Sequence, residues 1–264
     1  MFEDKMILIR GAGDLATGVA ARLWRSGFPV IMTEIERPLT VRRSVSLSEA
    51  VFEGEVTVED IIARFIDAPN RIKEVLGKGK IPVLVDPDAA ILNEIELFAL
   101  VDAIMAKRNL GTRMDSATFV IGLGPGFTAG KDVHAVVETK RGHNLGRVIR
   151  DGEAEPDTGI PGEINGHSVK RLIRSPGEGI FSASLMIGDS VKEGAIVGYV
   201  ENVPVKAPLT GVLRGLIHEG ISVKQNMKIG DIDPRGIREY CHTISDKALA
   251  IGGGVLEALL MKLK

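Results

Sequence analysis

Residues 175–200 read SPGEGIFSASLMIGDSVKEGAIVGYV, residues 207–232 read APLTGVLRGLIHEGISVKQNMKIGDI, and the second stretch repeats the first at a constant offset of 32 positions. Pro176/Pro208, Gly179/Gly211, Gly188/Gly220, Ser190/Ser222, Val191/Val223, Lys192/Lys224 and Gly198/Gly230 are identical pairs. Each copy breaks short, alternating apolar segments with Pro, Gly and a Gly-x-Ser-Val-Lys turn. That pattern predicts short strands joined by turns, not helices. Half of such a unit has too few apolar residues to bury a face by itself, so the two copies are expected to interlock about a pseudo-twofold axis.

The arrangement resembles the barrel-sandwich hybrid of biotinyl and lipoyl carrier domains, in which G-D-x-V-x-x-G and A-P-x-x-G-x-V recur. Gly188 to Gly194 match the first pattern in full. Ala207 to Gly211 match the second, which ends here in Leu213. Those carriers present a modified lysine at the hairpin between the halves. The corresponding connection, Glu201-Asn202-Val203-Pro204-Val205, has no lysine, and Lys206 falls in an expected strand. The module therefore reads as a rigid β-unit for binding or assembly. Asp231-Ile232-Asp233-Pro234-Arg235 closes it, as an Asx-type turn with an ion pair or, alternatively, as a site made by two acids and an arginine.

The other end of the chain opens with ILIRGAGDLATG, residues 7–18. Gly11, Gly13 and Ala16 keep the G-x-G-x-x-[GA] spacing between an expected strand (6–10) and an expected helix (15–26). A second strand, 29–33, leads to Glu34, where such units hold a ribose hydroxyl. The loop Gly11-Ala12-Gly13-Asp14-Leu15-Ala16 is thus either a nucleotide cradle or a tight turn. Exposed N–H groups at a helix start favour an anion. Asp14 opposes one unless its side chain turns away or caps the helix. No Gly-Lys-[Ser/Thr] follows, which excludes a P-loop.

The middle of the chain alternates. Helical spacing over 61–76 and 89–106 brackets an apolar strand at 81–85 that ends in Asp86-Pro87-Asp88, and a further strand at 117–123 ends in Gly124-Pro125-Gly126. Alternating strands and helices predict an α/β fold with a Rossmann-like, doubly wound parallel sheet, ligands lying beyond the carboxyl ends of its strands. Asp86 and the Gly124–Gly126 loop join Gly11–Ala16 as candidate nucleotide contacts on that basis. Beyond them lies VVETKRGHNLGRVI, in which Arg141, His143 and Arg147 stand beside Gly142 and Gly146. Arginines beside free backbone N–H groups suit a phosphate or another oxyanion, and a solvated basic turn is the alternative. The expected organisation is a nucleotide-binding domain over 1–165, the β-domain over 170–238, and a loop and helix over 239–264 that pack back on the first domain.

Composition removes several classes. A net charge near −2 and 4% aromatic residues argue against nucleic-acid binding. The single cysteine, Cys241, rules out an intramolecular disulfide and a thiolate zinc cage. The five histidines take no metal-ligand spacing, so no metal site is signalled. No G-x-S-x-G elbow is present. The early first strand leaves no room for a signal peptide and the apolar stretch 248–263 is too short for a bilayer, so a cytoplasmic location is expected.

GAGDLATGVAARLWRSGFPVIMTEIERP, then GLGPGFTAGKDVHAVVETKRGHNLGRVI, then APLTGVLRGLIHEG with KIGDIDPR, resemble the YqeB-type family of accessory proteins of the selenium-dependent molybdenum hydroxylase system. The central part also resembles the nucleotide-binding half of XdhC-type maturation factors. The resemblance implies a maturation role on the molybdenum cofactor or its selenium-containing form. Partners would then be the hydroxylase or other maturation factors, and the chain would form a homo-oligomer. NAD or another adenine nucleotide would lie over Gly11–Ala16 with Glu34 on a ribose. Arg141, His143 and Arg147 would meet an oxyanion, and in an enzymatic version His143 would transfer a proton. A scaffold that docks the hydroxylase without turnover is one alternative, and an NAD-dependent oxidoreductase is another.

Overall fold

The computed structural model describes residues 2–159 and 162–264; the expected linker positions Ile160 and Pro161 lie outside them. The chain divides into two units, one made of Met1–Glu36, Ser46–Thr158 and Ile244–Lys264, the other of Arg37–Val45 and Gly159–Thr243.

The first unit begins with β1 (Ile7–Arg10), α1 (Asp14–Arg25) and β2 (Val30–Glu34). The short helix α2 (Ala50–Glu53), the strands β3 (Glu55–Val58) and β4 (Ile61–Ile66), the helix α3 (Ile72–Gly77) and β5 (Ile81–Val85) follow. Next come β6 (Ala99–Asp102), β7 (Phe119–Leu123), β8 (Thr128–Ala129), β9 (Ala135–Val137), β10 (Val148–Ile149) and β11 (Gly152–Glu153). Nine of these strands form one sheet, in the order β10-β9-β7-β6-β1-β2-β5-β4-β3. Its inner seven strands run parallel, and β10 and β3 close the two edges antiparallel. Leu8, Ile31, Leu100 and Val120 share one register row. They form one face with Ile72 and Val75 of α3. The other face receives α4 (Asp246–Leu263), whose Gly254 approaches Val137, the neighbour of Val136 on the α3 face. α1 packs along α4. The central strands are buried on both faces, which is why they read as unbroken apolar runs.

The expected doubly wound sheet is corrected. The sheet is mixed, and helices are few. Residues 61–76, expected as a helix, supply β4 before a short 3-10 turn and the six-residue α3. The burial of Ile61, Ala63 and Ile66 follows strand geometry, and the β-branched pair Ile61-Ile62 favours it. Residues 89–106, also expected helical, supply a 3-10 turn and the wholly buried strand β6. A run of ALVD between two other buried strands has no solvent side, so its period carries no information. The expected loop at 252–254 lies inside α4.

In the second unit β12 (Leu172–Arg174) precedes the two copies of the repeat. The first copy holds β13 (Gly179–Ala183), β14 (Ser190–Val191) and β15 (Ile196–Val200), and β16 (Val203–Lys206) links it to the second. The second copy holds β17 (Gly211–Leu216), β18 (Ser222–Val223) and β19 (Lys228–Asp233). The copies exchange strands: β14 pairs with β17, and β18 with β13. The expected biotinyl/lipoyl-like barrel-sandwich hybrid is nevertheless corrected. The strands form two separate four-stranded antiparallel sheets, β12-β19-β17-β14 and β16-β15-β13-β18. A different outer strand completes each sheet, β12 on β19 in one and β16 on β15 in the other. The repeat thus fixes the strand pattern without producing a carrier barrel.

Candidate functional site

The carboxyl ends of the parallel strands carry the glycine loop. Gly11 takes φ +93°, and a Cβ there would lie 3.0 Å from the Ala103 carbonyl oxygen, in the loop after β6. A glycine is required on both counts. Gly13 is the N-cap of α1 and offers no side-chain cap, so the first-turn N–H groups point toward the loop. β1 lies between β2 and β6, and the chain leaves it in opposite directions to reach them. Ligands of open parallel sheets sit at that divergence.

Glu34 closes the loop from the side. Its Oε2 accepts the Ala12 N–H at 2.9 Å and its Oε1 accepts the Ile35 N–H at 2.9 Å. Burial pushes this carboxyl above its ordinary range, and the two backbone donors oppose the shift. From the far side Leu47 N–H donates to Thr17 Oγ1 and Ser48 N–H to the Ala12 carbonyl. The loop is held on three sides before any ligand arrives.

Sequence reasoning missed Arg10 and Asp102. They end β1 and β6, 5% and 2% exposed, so both charges sit in the crevice between the two strands. Arg10 Nη1 reaches Asp102 Oδ2 at 3.4 Å and donates to Thr112 Oγ1 at 2.7 Å, while Nη2 donates to the Pro87 carbonyl at 3.1 Å. Thr112 in turn donates to Asp102 Oδ2 at 2.6 Å. The buried Arg10 Nε–H has no partner among the described residues. A charged residue ending an apolar strand run, ILIR or ALVD, was the available signal.

The remaining candidates are spread along the same edge. Asp86, two strands from β1, accepts the N–H groups of Ala90 and Ile91 and so caps a 3-10 turn. The Gly124-Pro125-Gly126 loop ends β7, also two strands away. A Cβ on Gly124 would strike Thr139 Oγ1, and one on Gly126 would lie 2.6 Å from the Arg108 nitrogen. Those glycines serve close backbone packing. Arg141, His143 and Arg147 follow β9, three strands from β1, or about 14 Å at the usual strand spacing. All three are exposed. Arg141 makes a bidentate pair with Asp246 in the first turn of α4. The structure therefore joins Gly11–Ala16 to Glu34, whose carbonyl accepts the Asp86 N–H at 3.0 Å while the Asp86 carboxylate caps the 3-10 turn, and it does not bring the basic turn to them. Among the described residues no group of three His, Cys, Asp or Glu is placed to hold a metal ion. No described helix is long and apolar enough to cross a membrane.

No family model matches the chain. It is 52% identical over 257 residues to "Uncharacterized protein YqeB" of Escherichia coli (strain K12). The match is consistent with the YqeB family. It takes in 97% of this chain and 48% of that protein, so the chain spans about half the length of the curated relative it matches. Among solved structures it aligns with an aspartoacylase family protein of Mesorhizobium loti, at 12% identity and a TM-score of 0.27, over 88% of this chain and 85% of the other. It also aligns with a succinylglutamate desuccinylase of a Silicibacter species, at 13% identity and a TM-score of 0.25, over 88% and 85%. At those scores neither alignment conveys chemistry or substrate.

Proposed function

We propose that this chain binds an adenine nucleotide, such as NAD, on the loop Gly11–Ala16. Glu34 carries this reading. A half-buried carboxylate ends the second parallel strand and is fixed by the loop's own Ala12 N–H, beside a helix N-terminus without a side-chain cap. Ribose hydroxyls would donate to the carboxylate, and the pyrophosphate would lie at the first turn of α1. Asp14, in that turn, limits how closely a phosphate approaches. We further propose that the chain is a cytoplasmic accessory protein in maturation of a selenium-dependent molybdenum hydroxylase, with the hydroxylase or another maturation factor as partner. It would handle the molybdenum cofactor or its selenium-containing form. The resemblance of the GAGDLATG, GPGF and VVETKRGHNLGR blocks supports this second part.

A docking scaffold without turnover is the competing reading. It is favoured by the buried Arg10–Asp102–Thr112 network, which occupies the crevice where a reacting group would enter. Thermal-shift and calorimetric titration against NAD, NADP, ATP, CTP, GTP, molybdate and molybdopterin species separates the two. Tight binding of one nucleotide, abolished by Gly13→Glu, is the expected result. Binding of none would make the glycines a turn and leave the scaffold.

A further inference from the structure

A groove of about 220 Å³ opens at the opposite edge of the large sheet, where β7 and β9 begin and α4 ends. Its floor and walls come from Phe119, Val148 and Met261, and its polar groups are His134, Arg150 and Lys262. Two cations on an apolar floor are an unusual combination, because each could reach water or a carboxylate elsewhere. Neither makes an ion pair among the described residues. Lys262 Nζ instead stands 6.0 Å from the centroid of Phe119, on its face. Phe119 also packs against the His134 ring, at a centroid distance of 5.3 Å.

The state of His134 follows from its backbone partner. Val120 N–H donates to His134 Nδ1 at 3.0 Å, so that nitrogen carries no proton. The neutral ring then has its hydrogen on Nε2, on the edge turned away from Val120. Burial and the neighbouring Lys262 both hold the ring in this neutral form. The groove thus presents three donors, the Nε2–H of His134, the guanidinium of Arg150 and the ammonium of Lys262, with no carboxylate in its lining. A cavity of about 150 Å³ holds a benzene ring in another protein, so this one has room for one or two fused rings.

We propose that this groove binds a small aromatic carboxylate. Its ring would lie against Phe119 and the Met261 thioether, and its carboxylate would meet Arg150, Lys262 and the His134 Nε2–H. The argument stands apart from the nucleotide reading, since the groove lies at the far edge of the sheet from Gly11.

Calorimetric titration of the full chain with 2-naphthoate tests the proposal, with 2-naphthylmethanol as the uncharged isostere. Saturable one-to-one binding of the acid is expected. The alcohol, and the acid against Arg150→Ala or Lys262→Ala, should bind about tenfold more weakly, the worth of one charged hydrogen bond. His134→Asn keeps an acceptor for Val120 N–H and removes the ring donor, and it should weaken the acid severalfold. Gly13→Glu should leave 2-naphthoate binding unchanged, which separates a failure here from a failure of the nucleotide reading. Absence of saturable binding would overturn the proposal. So would equal binding of acid and alcohol, or indifference to both Arg150→Ala and Lys262→Ala.

Discussion

Gly252 of α4 lies so close to Gly18 of α1 that a Cβ on Gly252 would stand 2.5 Å from the Gly18 carbonyl oxygen. The contact is reciprocal, since a Cβ on Gly18 would stand 2.5 Å from the Ala248 carbonyl oxygen. Two helices meet backbone to backbone, and any side chain at either position forces them apart. Overpacking of this kind costs about 1–3 kcal/mol. Gly252→Ala and Gly18→Ala should each lower the urea midpoint accordingly. Gly253 has nothing within 4 Å of its would-be Cβ. Gly253→Ala should therefore stabilise, by up to about 1 kcal/mol, through helix propensity. Equal effects at 252 and 253 would remove the packing explanation.

The same glycines show where sequence reasoning reached its limit. Three consecutive glycines disfavour a helix by about 3 kcal/mol in local propensity, so 252–254 reads as a loop. Packing reverses that preference: Gly252 meets α1, and Gly254 meets the Gly146 carbonyl. Nothing local signals a partner more than a hundred positions away. Strands were legible where an apolar run stood alone, as at 81–85, and the repeat was legible because identical residues recur at fixed spacing. Residues 89–106 were not, because a strand buried on both faces has no polar side to set its period. At the candidate site the spacing of Gly11, Gly13 and Glu34 was visible. Arg10 and Asp102 were not, because their pairing depends on the register of β1 against β6.

That buried pair should dominate local stability. Asp102→Ala leaves the Arg10 guanidinium in a crevice with one neutral hydroxyl and one carbonyl, and should cost about 3–5 kcal/mol by denaturant titration. Replacing both, as Arg10→Met with Asp102→Leu, removes the uncompensated charge and should recover most of the loss. The Arg141–Asp246 pair is solvent-exposed, with side chains 44% and 71% accessible. Arg141→Ala should stay within about 1 kcal/mol of the parent chain. Similar losses at the two pairs would contradict the burial argument.

Glu34 should give nucleotide binding an acid limb. Its carboxyl is held above the ordinary value of 4.5 by burial. The folded chain therefore takes up a proton on Glu34 before the unfolded chain does. Stability contributed by this group is present at acid pH and lost as pH rises through its raised folded value. Binding runs the other way, because a protonated carboxyl accepts fewer hydrogen bonds from a ribose. Calorimetry across the mildly acid range should show affinity falling as Glu34 protonates. Glu34→Gln should bind more weakly, with that pH dependence gone. The same slope in both would mean that the ribose does not touch Glu34.

His134 gives folding a pH dependence opposite to the one that Glu34 gives it. Burial first, and then the charge of Lys262, hold its folded value below the ordinary 6.5. Protonation would also break the hydrogen bond from Val120 N–H, because Nδ1 could no longer accept. In the window between the two values the unfolded chain binds more protons than the folded one, so stability rises with pH. The contribution is complete above the unfolded value and is lost as pH falls toward the folded one. Arg150 and Lys262 line the same groove, and the Lys262 charge adds to the penalty that burial places on a protonated ring. Thermal melts from neutral to mildly acid pH should therefore show a loss in the parent chain that is absent in His134→Asn, where Val120 keeps its acceptor and nothing titrates. A parallel fall in both proteins would assign the acid sensitivity to other groups.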